Sequence, residues 1–168
     1  MKLLVLILVI MCLPEVCLAS SVPIVQKLKM QNINAEILKL IPEIQKDIEE
    51  DKENHKSLQD IQPLEIYMQK IPFTEGKTLL FVTYTGSLWC GIQNCPLTIY
   101  EIEGKVKTLA KILEVVAPPV EIYTISCPND FSILLSSHLD RFSKWSYKKA
   151  GFKYIAEYPD LSSASKCN

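Results

Sequence analysis

The first nineteen residues most constrain what this chain can become, because they have the pattern of a secretory signal peptide. Lys2 precedes an apolar run from Leu3 to Leu13, and the segment ends on the small residue Ala19. The apolar run is about half of the ~20 residues that a membrane-spanning helix needs. We therefore expect cleavage after Ala19 and a mature chain that folds in an oxidising compartment, either periplasmic or secreted.

Cysteine pairing is the second constraint on the fold. Removal of the signal peptide takes two of the six cysteines and leaves an even number, Cys90, Cys95, Cys127 and Cys167. The residues between Cys90 and Cys95 make a compact loop, so this pair is favoured, and Cys127 is then left to meet Cys167 in the tail. The alternative is that Cys127 is a buried free thiol and Cys167 an exposed one.

Size and charge limit the class of protein. Cleavage would leave 149 of the 168 residues, which suits one compact domain with a single core. The mature chain would carry 17 basic and 18 acidic residues, so its net charge stays at −1. This balance gives no electrostatic reason to expect nucleic acid or an anionic membrane as a partner. We also predict no integral membrane segment after cleavage.

Residues 20–62 have the pattern of an N-terminal helical segment. From Val25 to His55 apolar residues recur at three- and four-residue steps, with charged and amide side chains between them. Pro42 removes a backbone donor and crowds the preceding turn, so we expect a kink, or two helices that meet near Ile41.

Residues 63–158 have the pattern of a β-rich domain, followed by a C-terminal tail at residues 159–168. Apolar runs bounded by turn residues predict strands at 64–71, 77–85, 97–102, 120–126 and 130–136. Residues 105–116 fit either a returning antiparallel strand or a helix. The predicted fold class is α+β, with a kinked N-terminal helix on a mainly antiparallel β-sheet and the cysteine loop at one sheet edge.

The clearest hairpin is the last one, where Phe142–Lys148 and Phe152–Tyr158 flank a turn that contains Ala150 and Gly151. Two-residue alternation groups the aromatic side chains of each strand on one face: Trp145 with Tyr147, and Phe152 with Tyr154 and Tyr158. Such a face either packs in the core or stacks on sugar rings or on a partner protein. The candidate binding surface consists of Trp89, Trp145, Tyr147 and Tyr154.

Two catalytic alternatives can be drawn from the sequence, and both lack part of their motif. A thioredoxin-like enzyme needs two cysteines in a two-residue spacing at a helix N-terminus, whereas four residues separate Cys90 from Cys95. His138 lies near Ser136 and Asp140, but no nucleophile-elbow motif accompanies it. No spacing typical of a metal or cofactor site occurs, so we predict no catalytic residue, no metal and no cofactor.

Around its cysteine loop the chain resembles small secreted or periplasmic bacterial proteins of unknown function. These proteins carry a Cys-Gly-x-x-x-Cys loop that opens a β-hairpin, and here Cys90-Gly91 and Cys95 are followed by Pro-Leu-Thr-Ile-Tyr. The likeness extends to Asp130-Phe131 and to the aromatic strand that leads to Gly151-Phe-Lys-Tyr154. The resemblance covers roughly residues 78–158. It implies a β-rich, disulfide-clipped, exported domain and supplies no catalytic residue.

The function that these features favour is non-enzymatic binding outside the cytoplasm. We expect an exported bacterial binding or accessory protein that acts on a protein partner or a cell-envelope component. The alternatives are a thioredoxin-like thiol-disulfide oxidoreductase that uses Cys90 and Cys95, and a secreted inhibitor or immunity-type protein.

Overall fold

The protein folds into two antiparallel β-sheets that lie face to face. The computed structural model describes residues 22–57, 62–73, 76–86, 90, 94–116, 121–136, 141–148 and 151–167. The predicted signal peptide, Trp89 and His138 lie outside these ranges. Within them the strands are Ile24–Lys27 (β1), Gln31–Asn32 (β2), Glu65–Pro72 (β3), Thr78–Thr85 (β4), Asn94–Glu103 (β5), Lys105–Val116 (β6), Ile122–Cys127 (β7), Asp130–Ser136 (β8), Phe142–Lys148 (β9) and Gly151–Tyr158 (β10). The helices are Ala35–Leu40 (α1), Pro42–Ser57 (α2) and Leu161–Ala164 (α3).

Both sheets have five strands and the same connectivity. The helix-covered sheet has the order β2-β3-β4-β5-β6, and α1 and α2 pack on its outer face. The tail-covered sheet has the order β1-β7-β8-β9-β10, and its outer face is covered by C-terminal residues. In each sheet four consecutive strands form a meander, and one short strand from the N-terminal segment completes the sheet.

The first strands correct the helical prediction for residues 25–34. The structure places Ile24–Lys27 and Gln31–Asn32 in strands, and helix begins only at Ala35. Strand β1 pairs with β7 and β2 pairs with β3, so the short link between them carries the chain from one sheet to the other. The strands contain four and two residues, too few for alternation to outweigh the helical spacing that continues downstream.

The helical prediction is confirmed from Ala35 onward, including the break at the proline. Asn34 caps α1, because its side-chain oxygen accepts the N–H of Ile37 at 3.0 Å. Helix α2 then starts at Pro42, where the missing N–H costs nothing because a first-turn donor has no partner within the helix. The two helices therefore meet at Ile41, as the sequence predicts.

The main core lies between the sheets and is built from side chains that alternate along the facing strands. Its most buried members come from both sheets: Leu79, Phe81, Leu97, Ile99, Ile122 and Ile133, all at 0% exposure. At one side the edge strands β6 and β10 approach each other closely. A Cβ atom at Gly151 would lie 2.8 Å from the carbonyl oxygen of Leu109, so this position requires glycine.

The outer face of the helix-covered sheet packs against an apolar helix face. Ile37 and Ile44 are fully buried against this sheet, in a cluster that includes Tyr84 and Tyr100. Burial raises the pKa of Tyr100 to about 12, and the charge of Glu43 on α2 acts in the same direction. The helices thus supply most of the cover for this face.

The outer face of the tail-covered sheet is covered by α3 and the residues that follow it. Ala164 is fully buried against Ile125 and Leu134, and Asp160 caps α3 by accepting the Ser163 N–H at 2.7 Å. A disulfide between Cys127 and Cys167 holds this tail to the end of β7, which confirms the pairing that the sequence favours over free thiols.

The remaining predictions have clear outcomes. The α+β class with mainly antiparallel strands is confirmed, although the strands form two sheets. Residues 105–116, left open between helix and strand, form β6. Cys90 and Cys95 form the favoured disulfide, which ties the connection after β4 to the start of β5. Both β4 and β5 are interior strands, so the loop does not lie on an edge strand. No helix among the described residues is long and apolar enough to cross a membrane.

Candidate functional site

The predicted binding surface divides between different environments. Trp89 lies outside the described residues. Tyr147 packs between the sheets, where its ring meets that of Phe73 edge to face with centroids 4.8 Å apart. Trp145 also packs against the inter-sheet core and is partly buried, whereas Tyr154 is 52% exposed. The two residues pair on neighbouring strands, and Tyr154 carries the exposed part of the pair.

Tyr147 belongs to a polar and aromatic cluster at one end of the inter-sheet core. Burial raises the pKa of Tyr147, and the charge of Glu101 raises it further. Glu101 is itself buried, and Lys77 Nζ lies 3.4 Å from its Oε1 and 3.0 Å from Oε2 of Glu103. Within the described part of the chain, Glu101 Oε2 has no hydrogen-bond partner. Tyr147 is thus part of the packing at this end of the sandwich.

A β-bulge in β10 decides which side chains share a face with Trp145. Before the bulge Tyr154 pairs with Trp145, and after it Glu157 pairs with Ser143. Ser143 and Trp145 are two residues apart and lie on the same face of β9. The inserted Ile155 has no partner in the register and reverses the alternation along the rest of β10. Tyr154 and Glu157, three positions apart, therefore point to the same side.

The same bulge corrects the prediction for Tyr158. Two-residue alternation placed Tyr158 on the face of Phe152 and Tyr154. The structure pairs it instead with Phe142 on the opposite face, where it packs near Leu161 of α3. One inserted residue moves every later side chain of a strand to the other face of the sheet.

We define the hairpin face as Arg141, Ser143, Trp145, Tyr154 and Glu157. The rings of Trp145 and Tyr154 meet edge to face, with centroids 5.5 Å apart. Trp145 Nε1 donates to Ser143 Oγ at 3.3 Å, and Arg141 Nη1 lies 3.6 Å from Glu157 Oε2. The Arg141 and Glu157 side chains are 56% and 47% exposed, so each can still hydrogen-bond a ligand. The face thus combines an exposed ring with charged hydrogen-bonding groups.

Sequence reasoning missed three members of the hairpin face. Ser143 and Arg141 follow from Trp145 by two-residue steps, so the same alternation that grouped the aromatics could have found them. Glu157 is different, because its place on the face depends on the bulge. No residue around Ile155 is typical of a bulge, and the sequence gives no signal for it.

The cysteine loop has a different setting from a thioredoxin-like site. Cys95 is fully buried and lies inside β5, where its neighbours continue as strand. Such a site needs a cysteine pair at a helix N-terminus, where the helix dipole lowers the pKa of the attacking thiol. Cys90, the other half of the disulfide, is positioned by a backbone hydrogen bond: its N–H donates to the Gly86 carbonyl oxygen at 3.0 Å. This setting is typical of a structural disulfide.

Polar side chains also lie on the outer face of the tail-covered sheet. Asp130 accepts from Ser146 Oγ at 2.5 Å and from Ser132 Oγ at 3.0 Å. Burial acts to raise the pKa of Asp130, but these hydrogen bonds and the charge of Lys148 outweigh it and hold the pKa below its usual value. Both serines are almost completely buried. Neither hydroxyl is therefore placed to attack a substrate.

Lys144 lies beside these groups and is 2% exposed. Its Nζ donates to the carbonyl oxygen of Lys166 in the tail at 2.8 Å. Desolvation lowers the pKa of Lys144, although the charge of Asp130 opposes this shift. The lysine thus ties β9 to the C-terminal tail.

Neither the arrangement of possible metal ligands nor comparison with known proteins identifies another candidate site. Among the residues that the structure describes, no group of three or more His, Cys, Asp or Glu side chains is placed to hold a metal ion. Comparison of the chain with protein-family models, with curated proteins and with solved structures finds no match.

Proposed function

We propose that the mature chain is an exported, non-enzymatic binding protein of the bacterial envelope or its surroundings. Its partner is a protein or a cell-envelope component, and the hairpin face carries the contact. The observation that supports this proposal most is the exposure of Tyr154 beside a partly buried Trp145 on the paired strands β9 and β10. Exposed aromatic side chains held by packing lose little entropy on binding and are enriched where proteins bind their partners.

Two structural features support the exported location. They are the Cys90–Cys95 and the Cys127–Cys167 disulfides, which together pair all four cysteines that would remain after signal cleavage. Disulfides form and persist in the periplasm and outside the cell, and are rare in the reducing cytoplasm.

Site-specific photo-crosslinking tests the proposal. The full chain, with its signal peptide, is expressed with p-benzoylphenylalanine in place of Tyr154, and in a matched control in place of Lys52. Lys52 is exposed on α2, away from the hairpin face, and controls for exposure alone. We expect a crosslinked product of defined mass from position 154 and none from position 52. The same product from both positions would refute the assignment, and the absence of a product from position 154 would refute a protein partner on this face.

Trp145→Ala supplies a second test of the same surface. The indole supports Tyr154 from the neighbouring strand, so its loss should weaken the crosslink from position 154 while the fold is retained. Unchanged crosslinking in this variant would show that the hairpin face does not carry the contact. Circular dichroism checks that the variant is folded.

A further inference from the structure

We infer that the hairpin face binds a neutral, β-linked saccharide chain. This inference rests on the proposed function and names the ligand class of the same site. A pyranose ring presents an apolar face of C–H groups and a rim of hydroxyls. The hairpin face presents an exposed aromatic ring at one end and hydroxyl-binding groups at the other.

The aromatic end is Tyr154. Trp145 contacts its ring edge to face, which fixes the orientation of Tyr154 while the residue stays about half exposed. The face of an aromatic ring carries negative potential, and it attracts the positively polarised C–H groups of a sugar. Because the ring is held by packing, little side-chain entropy is lost when a sugar stacks on it.

The polar end is built from Ser143, Glu157 and Arg141. A carboxylate accepts hydrogen bonds from hydroxyls and a guanidinium donates to them, so Glu157 and Arg141 together match neighbouring sugar hydroxyls. Their opposite charges lie 3.6 Å apart and cancel over the face. This balance favours an uncharged ligand over an acidic or a basic one.

The length of the face favours a chain over a single sugar. Trp145 in β9 and Arg141, which directly precedes β9, are four residues apart, so the face extends roughly 13 Å in the direction of the strand. That length exceeds a single pyranose ring. An extended β-linked chain, whose successive rings present flat faces, can place one ring on Tyr154 and the next hydroxyls near Glu157.

A protein strand is the less suitable occupant. Strand β10 lies at a sheet edge, but its bulge and its charged residues Lys153 and Glu157 are features that block strand addition. The exposed large apolar side chains on β10 are Tyr154 and Ile155, and the other exposed ones in the described chain lie on α1 or at the N-terminal end near β1. Two apolar side chains are few for the apolar centre of a stable protein interface.

Titration with defined tetrasaccharides tests the inference. The mature protein is titrated with cellotetraose and with chitotetraose, with maltotetraose as the α-linked control, and binding is measured by calorimetry. Trp145 fluorescence, measured in a Trp89→Phe background, reports whether the ligand reaches the hairpin face. We expect saturable binding of at least one β-linked chain, weaker binding of maltotetraose, and a change in Trp145 emission.

Conservative variants separate stacking from general apolar contact. Tyr154→Phe keeps the ring and should retain affinity, whereas Tyr154→Leu keeps apolar volume and should lose at least about tenfold, equivalent to 1.4 kcal/mol. Glu157→Gln should weaken binding without changing the fold. Leu40→Ala, at an exposed position of α1, should leave affinity unchanged.

The outcomes distinguish the two levels of the proposal. No saturable binding of either β-linked chain, or equal affinity in Tyr154→Leu and Tyr154→Phe, would overturn the saccharide assignment. If a protein is then crosslinked from position 154, the binding function stands with a different ligand. If neither a saccharide nor a crosslinked partner is found, the hairpin face is not a binding site.

Discussion

The two sheets share one connectivity, but their outer faces are covered in different ways. On the helix-covered sheet, α1 and α2 bury apolar side chains such as Ile37 and Ile44. The tail-covered sheet has a helix of four residues and a tail that a disulfide holds to β7. Beneath that tail lie a buried lysine and two buried serines. Burial of apolar side chains holds the long helices on the first sheet. The short C-terminal segment on the second sheet is held by a disulfide as well, and polar groups lie beneath it.

Removal of the tail disulfide should have the largest effect. Cys127 and Cys167 are 40 residues apart, so their bond closes a long loop, and the chain-entropy model gives it about 4 kcal/mol. The five-residue separation of Cys90 and Cys95 gives about 2 kcal/mol in the same model. We expect the double alanine variants to lose free energy of unfolding in that order, measured by urea unfolding of the mature protein. An equal or larger loss from the Cys90–Cys95 variant would contradict this comparison.

Truncation of the helix cover should have the next largest effect. Ile44 is fully buried between α2 and the helix-covered sheet, so Ile44→Ala should lower the free energy of unfolding by about 3 kcal/mol. Leu40→Ala provides the matched control on α1, because Leu40 is 47% exposed and its truncation should cost less than about 0.5 kcal/mol. If the two variants are equally stable in urea, apolar burial does not hold this cover in place.

Replacement of the buried lysine should have the smallest effect and depend on pH. Lys144→Met keeps a similar volume and removes a desolvated charge, so it should change stability at neutral pH by less than about 1 kcal/mol, or raise it. In the wild type the pKa of Lys144 is lower in the folded state than the usual 10.5. The unfolded state therefore binds more protons between the two values, and stability attributable to Lys144 rises as the pH approaches 10.5 from below.

Urea unfolding at a series of alkaline pH values checks this prediction. The difference in stability between the wild type and Lys144→Met should shift in favour of the wild type as the pH increases through that window. A difference that does not change with pH would show that Lys144 is not desolvated by the tail.

The sequence predicts most of the strands because each is an apolar or aromatic run bounded by turn residues. Asp130–Ser136 and Phe142–Lys148 are found with the predicted bounds, and both disulfides join the cysteine pairs that the sequence favours. The second sheet was missed because β1 and β2 are very short and the strands of one meander give no sign that they separate into two layers. Layer assignment depends on contacts between distant residues, which no local pattern carries.

The candidate site was predicted only where it depends on alternation. Trp145 and Tyr154 were found because each stands on a regular stretch of its strand. Alternation shows which face of β9 carries Tyr147, but it does not show how much of that face the opposite sheet covers. Tyr147 was therefore assigned to the surface, although the opposite sheet packs against it. Lys144 would be assigned to solvent by its charge, and the tail that covers it is fixed by a cysteine 40 residues downstream of its partner. Neither effect is visible in a window of neighbouring residues.

The N-terminal strand β1 pairs with the distant strand β7, and this pairing sets an order of events. Gln26 in β1 meets Thr124 in β7, and these residues are 98 positions apart in the chain. During synthesis β1 is made early, whereas its partner β7 is made only after every strand of the helix-covered sheet. Contacts of such long range make folding slow, because the loop must close before the pairing stabilises it. The tail-covered sheet therefore becomes complete only when β7 is available to pair with β1.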